Sequence, residues 1–299
     1  MGQSNQGALV TIVMPAYNHE RYILESLEGI ANQTYKNLQW IIVDDCSKDN
    51  TRQILQDNQE KYGYELILNE RNLGIAGSLN NMIKNHARGK YICICASDDV
   101  YMPNKIERLV DAMDSHPSYG MCYSRSIFIN ENSKEIRRDE TPEYRSGNIF
   151  EDIICQKYHI GACNLMKKSI LEEFDYYPDG IIAEDFYMNC KIAEKYEIGF
   201  VDEYLMKYRL VPVGKKRDPW RLLLSHRQTI DLFSDKKEYK EAVFYWKFNS
   251  CKTLAPYVKY KAKALVMIIS LLVWSVRKNT ILSLLRAVKH LLFNWEPVS

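Results

Sequence analysis

No stretch of this 299-residue chain stays apolar and uncharged for long. The longest, Ala264–Val276, has 13 residues between Lys263 and Arg277. A helix of that length reaches about 20 Å, short of the roughly 30 Å hydrocarbon core of a bilayer. An interfacial or packed helix is therefore expected there, rather than a spanning one. Residues 1–7 are polar and lack an apolar h-region, so no signal peptide is read in them. Gln6 stands where the myristoylation pattern wants Ser or Thr. The eight cysteines, at 46, 93, 95, 122, 155, 163, 190 and 251, include no CxxC spacing. That argues against a zinc ribbon and a thioredoxin-type dithiol. Cys93 and Cys95 share one face of an apolar run and read as small core hydrophobes of a reducing compartment. Glycine loops for phosphate are missing too. No G-x-G-x-x-G follows the first apolar run, and Lys168-Ser169 lacks the glycines of a P-loop. Dinucleotide-binding and P-loop readings both fail at the turn that would hold the phosphate. Internal repeats and low-complexity segments are absent.

What is present is a set of short apolar runs that end in polar, turn-prone clusters. Leu9–Met14 stops at Pro15-Ala16-Tyr17-Asn18, Leu38–Val43 at Asp44-Asp45-Cys46-Ser47, and Tyr91–Cys95 at Ala96-Ser97-Asp98-Asp99. Each run is followed by an amphipathic helical pattern, the signature of a βαβ unit. Helices are expected over 20–31, 51–61, 75–86 and 103–115, the first with Ile23, Leu24, Leu27 and Ile30 on its apolar face. Gly63 and Gly89 fall just past two of these helices, where a C-cap glycine belongs. The alternation predicts an α/β fold with a mostly parallel sheet flanked by helices. In such sheets ligands bind outside the carboxyl ends of the strands, so the three clusters describe one carboxylate-rich site. A hard divalent cation with a hydroxyl-bearing ligand suits it. The plainer alternative for each Asp pair is an Asx-turn or a helix cap.

Farther along, strands are expected at 121–130, 159–167, 198–201 and 204–210, and helices at 150–157, 169–174 and 184–195. The span 131–147 reads as loop or edge hairpin. From Pro219 the text is helical: 220–233, 239–254, 261–276 and 280–293. Charge divides the same way. Residues 1–203 hold 21 basic and 32 acidic side chains, net −11, and residues 204–299 hold 19 and 6, net +13. A basic tail on an acidic body points to an anionic partner, a membrane surface or nucleic acid, or else to a solvated helix face.

Six motifs stand in order: Val10–Asn18, Asn32-Gln-Thr-Tyr35, Ile42–Thr51, Asn72-Leu-Gly74, Gly89–Ile92 and Ser97-Asp-Asp99. Together they resemble the family 2 glycosyltransferases of GT-A fold, closely over residues 9–115 and more loosely to about 210. The resemblance implies an inverting enzyme. It would move one hexose or N-acetylhexosamine from a UDP-sugar to a saccharide acceptor, lipid-linked, in surface-polysaccharide assembly. It divides the chain into a GT-A catalytic domain, 1–215, and a basic helical C-terminal region, 216–299. Pro15, Ala16, Tyr17 and Asn18 are implied for donor binding, Asp45 for the uracil, Asp98 near the ribose, Asp99 for Mn²⁺ or Mg²⁺ and Asp185 as general base. Asp44, Glu184, Asn72 and Arg209 are secondary candidates. Glu184-Asp185 equally suits the acidic first turn of a helix.

Departures from the family pattern are specific. Ala96 stands where many members have a further aspartate, and Leu79 where they often have an arginine. Val211 follows the Tyr208-Arg209 region where a histidine is common, which leaves a third metal ligand open. Lys215, Lys216 and Arg217 read either as a flap over the diphosphate or as a solvated linker. Gly161–Asn164 falls on the acceptor side. The expected partners are the UDP-sugar, the acceptor and, through the C-terminal helices, an anionic membrane surface at the cytoplasmic face, with no nucleic acid. A sugar nucleotidyltransferase and a non-catalytic nucleotide-sugar binder are the alternative readings.

Overall fold

A computed structural model describes residues 7–160, 164–210, 218–254 and 256–272. In chain order its elements are β1 (Val10–Ala16), α1 (Ile23–Ala31), β2 (Leu38–Asp44), α2 (Thr51–Tyr62), β3 (Glu65–Leu68), α3 (Gly74–Asn85), β4 (Tyr91–Ile94), β5 (Val100–Tyr101) and α4 (Lys105–Ser115). Then come β6 (Tyr119–Ile129), β7 (Glu135–Arg138), α5 (Phe150–Ile154), β8 (Asn164–Lys167), α6 (Lys168–Glu173), α7 (Glu184–Lys195) and β9 (Glu197–Arg209). The last are α8 (Pro219–Asp231), α9 (Tyr239–Leu254), a 3-10 turn (Val258–Tyr260) and α10 (Lys261–Leu272). The chain forms two compact units, residues 1–150 with 160–213, and residues 151–159 with 214–299.

The first unit is built on one sheet, in the order β3-β2-β1-β4-β8-β6-β9-β5, with β7 added to β6. Its first half is parallel, β3 on β2, β2 on β1 and β1 on β4. Strands covered on both faces need continuous apolar text rather than alternation, and β1 and β2 supply it. Antiparallel ladders enter with β8, which pairs with both β4 and β6, and with the short β5 and β7. The sheet is therefore mixed beyond its first four strands.

The helix ends follow their sequence signals in part: α3 closes at His86, so Gly89 does not cap it. Gly63 closes α2 in the left-handed conformation, φ 71°. Helix α1 turns Ile23, Leu27 and Ile30 into the core, each position worth about 1.5–3 kcal/mol of burial. Leu24, one residue off that stripe, is exposed. Gly29 lets α1 lie directly on β5, because a Cβ there would stand 2.9 Å from the Tyr101 amide. Strand β9 is one element rather than two. Its pairing to β6 steps from Ser124 with Val201 to Arg125 with Tyr204, and a bulge absorbs Asp202 and Glu203.

The second unit, as described, is helical. Asp218 caps α8 by accepting from the Trp220 amide at 3.0 Å, with Pro219 in the first turn. Leu223, Leu254, Tyr260 and Ala264 form its core with Trp220 against them. Among the described residues no helix is long and apolar enough to cross a membrane. The expected 280–293 helix lies outside the described residues, as does the end of the 261–276 one.

Candidate active site

Parallel register puts the three polar clusters on one edge of the sheet. Ala16 is level with Asp44 across β1 and β2, and Val13 with Ile94 across β1 and β4. The loops that follow β1 and β2 are stitched together. Asn18, held at φ 55°, donates its amide to Ser47 Oγ at 3.1 Å and accepts the Lys48 amide at 2.7 Å. Thr51 Oγ1 accepts the His19 amide at 2.8 Å, and Asp49 accepts that of Glu20 at 3.1 Å. Pro15 and Ala16 end β1, and Tyr17 stands 43% exposed beside them, an aromatic face open to a planar ligand.

The first aspartate pair divides its work. Asp44 is fully buried, with Oδ2 accepting Arg52 Nε at 2.9 Å, while its Oδ1 has no hydrogen-bond partner. Arg52 also donates to the Asn69 carbonyl at 2.9 Å, so Asp44 ties α2 to the end of β3. Asp45 receives the start of α3. Its Oδ1 accepts the Leu73 amide and Asn69 Nδ2, both at 2.8 Å, and its Oδ2 accepts the Gly74 amide at 2.9 Å. Asn72 Nδ2 reaches the Asp45 carbonyl at 3.2 Å. A carboxylate on helix N-terminal amides is a favourable arrangement. Leu79, where an arginine is frequent, is entirely in the core.

The second pair sits on the turn after β4. Asp98 presents a side chain 18% exposed, and His19 Nε2 lies 3.9 Å from its Oδ2. Ser97 Oγ and His19 Nδ1 are 2.7 Å apart. Asp99 is 1% exposed, with Oδ1 accepting the Arg209 amide at 2.8 Å and Oδ2 without a partner. Burial first, and then the charge of Asp98, push the Asp99 carboxyl well above the usual carboxylate range, against the pull of Arg209 and Lys105.

Arg209 closes this turn from β9. Its side chain is wholly buried. Nε donates to the Asp98 carbonyl at 2.7 Å, and one terminal nitrogen donates to the Asn130 carbonyl at 3.1 Å and Ser133 Oγ at 2.9 Å. The other pairs with Glu25 at 2.5 Å, and the guanidinium lies 4.6 Å over the Tyr22 ring. Engaged on every side, it shapes the turn and has no face left for a ligand phosphate. His19, Ser97, Glu25 and Lys105 escape a reading of motifs. His19 alone carried a visible signal, as the residue directly after the Pro15–Asn18 cluster.

Asp185 lies in the first turn of α7, half-buried, with Oδ1 accepting the Phe186 amide at 2.7 Å; Glu184 precedes it. The loop before α7 is fixed to α3, because Asn80 Nδ2 donates to the Tyr177 carbonyl at 2.7 Å and Asn80 Oδ1 accepts the Tyr177 amide at 3.1 Å. Helix α3 thus joins Asp45 at its start to the Asp185 region along its length. Burial and then the charges of Glu184 and Asp185 raise the Tyr177 hydroxyl far above its usual value. Residues 161–163 and the 211–217 stretch lie outside the described residues, and Asn164 is buried on β8.

The donor set suits a hard cation. It offers carboxylate oxygens, one of them buried and unpartnered. Among the described residues no group of three or more His, Cys, Asp or Glu side chains is placed to hold a metal ion. Mg²⁺ typically takes one or two carboxylates and completes its shell with substrate phosphate and water.

Comparison with known proteins agrees with this architecture. The profile of glycosyl transferase family 2 matches residues 11–175. An uncharacterized glycosyltransferase of Methanocaldococcus jannaschii is 30% identical over 250 residues, covering 80% of this chain and 84% of that protein. Escherichia coli WfgD, named as a UDP-Glc:alpha-D-GlcNAc-diphosphoundecaprenol beta-1,3-glucosyltransferase, is 36% identical over 245 residues, covering 81% and 91%. In fold the chain resembles S. aureus TarS 1–349 in complex with UDP-GlcNAc, with TM-score 0.66 and 16% identity over 95% of this chain and 81% of that one.

Proposed function

The chain belongs to glycosyl transferase family 2 and is a glycosyltransferase of GT-A fold, and from that premise we propose a specific reaction. It transfers one hexose or N-acetylhexosamine, with inversion, from a UDP-sugar to a lipid-linked saccharide in surface-polysaccharide assembly. The observation that carries this reading is the gathering of Tyr17, Asp45, Asp98 and Asp99 at the carboxyl ends of three adjacent parallel strands. The E. coli relative, named for a UDP-sugar and a diphosphoundecaprenol-linked acceptor, supports the donor and acceptor classes.

In this reading Pro15, Ala16, Tyr17 and Asn18 line the base and ribose, Asp45 faces the uracil and Asp98 the ribose. Asp99 would hold Mn²⁺ or Mg²⁺, which when bound neutralises charge on the departing diphosphate. Asp185 accepts the proton of the acceptor hydroxyl as that oxygen attacks the anomeric carbon. The C1–O bond to the diphosphate breaks, and UDP leaves without needing a proton. The catalytic domain spans 1–215, and the C-terminal helices rest on anionic lipid at the cytoplasmic face. Exposed Leu265, Val266 and Ile269 on α10, close in sequence to Lys261 and Lys263, support that placement.

UDP release across a panel of nucleotide sugars with Mn²⁺, with and without EDTA, tests the reaction. Asp185→Asn is expected to lower turnover by about 10²–10⁴-fold while UDP still binds. Near-native turnover in that variant would remove the base assignment. Flotation with anionic vesicles tests the helices, and equal partitioning of full-length and tail-deleted protein would remove the membrane role.

A further inference from the structure

We propose that Asn80 is a positioning residue for the transfer: from helix α3 it holds the turn before α7 and so sets where Asp185 stands. This rests on the general-base reading above. Asn80 pairs with Tyr177 as a residue of a neighbouring strand would. Its Nδ2 donates to the Tyr177 carbonyl at 2.7 Å, and its Oδ1 accepts the Tyr177 amide at 3.1 Å. One planar amide thus grips both backbone groups of a residue 97 positions away. A single bond would let the chain swing about it, whereas two parallel bonds fix its direction as well.

The turn that Asn80 grips is not a relaxed one. Asp175 and Tyr176, the two residues before Tyr177, have φ 51° and 63°. Residues with a Cβ enter that left-handed region at a cost, and the surrounding contacts must hold them there. Lys84, one turn farther along α3, also touches them, with Nζ 3.4 Å from Asp175 Oδ1 and 4.6 Å from the Tyr176 ring centre. Asp175 is 93% exposed, so that ion pair holds little. The grip falls to Asn80. From Tyr177 the chain reaches α7 at Glu184 through Pro178 and Gly180, the latter at φ 76°. The Tyr177 ring is buried within electrostatic reach of Glu184 and Asp185. The other end of α3 meets Asp45 through the Leu73 and Gly74 amides. One helix therefore references the proton acceptor to the donor pocket, and a base displaced by about 1 Å loses much of its effect.

Asn80→Ala in the full chain tests this, because alanine suits a helix and removes only the grip. With the most active donor of the nucleotide-sugar panel, kcat is expected to fall about 10–100-fold, while donor KM and UDP affinity stay within about twofold of wild type. In an Asp185→Asn background the same substitution should cost less than about twofold, since there is no base left to position. Asn85→Ala, whose side chain meets Asn81 of its own helix, should keep wild-type turnover. Hydrogen exchange over 177–187 should quicken about tenfold in Asn80→Ala and stay unchanged over 72–76. Unchanged kcat, unchanged exchange over 177–187, or a full further loss in the Asp185→Asn background would overturn the proposal. So would a loss of UDP affinity matching the loss of kcat, which would mark a disturbed α3. An inactive Asp185→Asn beside an active Asn80→Ala removes only the positioning role. Near-native turnover in Asp185→Asn removes the base assignment, and this role with it.

Discussion

Replacing Arg209 by methionine should destabilise the protein and loosen the acidic turn at the same time. The side chain is wholly buried, so its volume is roughly preserved while its donors vanish. The Asp98 carbonyl loses its partner, while the Asn130 carbonyl keeps the Ser133 amide at 3.0 Å and Ser133 Oγ keeps Glu25 at 2.6 Å. Glu25 also loses its cation, but at 35% exposure it regains water, so the ion pair itself contributes little. One acceptor left unpaired costs about 1–3 kcal/mol, and the retained apolar contact offsets part of this, for a net of about 2 kcal/mol. For a domain of this size that lowers Tm by about 4–8 °C. Thermal unfolding by circular dichroism reads the loss, and calorimetric titration of UDP reads the loosened turn. The Arg209 amide to Asp99 Oδ1 survives the substitution, so UDP affinity should weaken without disappearing. Glu25→Gln discriminates between mechanisms, because it should cost under about 1 kcal/mol if the carbonyl clamp matters more than the ion pair. A Tm within about 2 °C of wild type for Arg209→Met would refute the clamp.

Further outcomes follow from neighbouring contacts. Asp45→Ala leaves the Leu73 amide without its acceptor and the Gly74 amide with only Asn72 Oδ1 at 3.1 Å, and should cost about 1–3 kcal/mol in urea unfolding and remove measurable UDP binding. Gly89→Ala would place a Cβ 2.5 Å from the Thr11 amide, a backbone clash costing about 1–3 kcal/mol on the same measurement. Partial burial raises the Asp49 carboxyl, but hydrogen bonds from Thr51 and the Glu20 amide outweigh it and hold the group below 3.8. Its stabilisation is therefore full above the ordinary carboxylate value and lost as pH falls through the lowered one, so the Tm gap to Asp49→Asn should narrow as pH is taken from neutral to below the ordinary carboxylate value.

The strand-and-helix alternation of the first hundred residues is legible because buried parallel strands and amphipathic helices write different periods into the chain. The polar clusters are legible as one site because strand direction forces them to one edge. The bulge in β9 is not, since Asp202 and Glu203 look like a break between strands until β6 is seen to pass them by. Nor is the affiliation of residues 151–159 with the second unit, which depends on contacts far away in sequence. Within the site, residue types pointed to carboxylates, but side-chain partners decided what each one does. Asp45 meets amides some 28 residues downstream, and Arg209, a secondary candidate on sequence, is engaged with carbonyls and Glu25. Such long-range partners leave no local trace in sequence.

The two aspartate pairs look alike in sequence, and their buried members differ in one respect that can be measured. Asp44 and Asp99 are both buried, and each keeps one oxygen unpartnered. Asp44 has a guanidinium on its other oxygen, whereas Asp99 has only the neutral Arg209 amide. A buried carboxylate with a cation partner supports the fold, and one without costs stability until a ligand supplies the charge. Asp44→Asn should therefore lower Tm in metal-free protein, by about 2–6 °C once the partial exposure of Arg52 is discounted. Asp99→Asn should leave Tm unchanged or higher in the same buffer, because burial and the Asp98 charge already disfavour the ionised Asp99 carboxyl, and asparagine keeps an oxygen for the Arg209 amide. Added Mn²⁺ with UDP should then stabilise the wild type and the Asp44 variant but not the Asp99 variant. If both substitutions lowered the metal-free Tm equally, Asp99 would be a second structural anchor, and the cation would have to be held elsewhere.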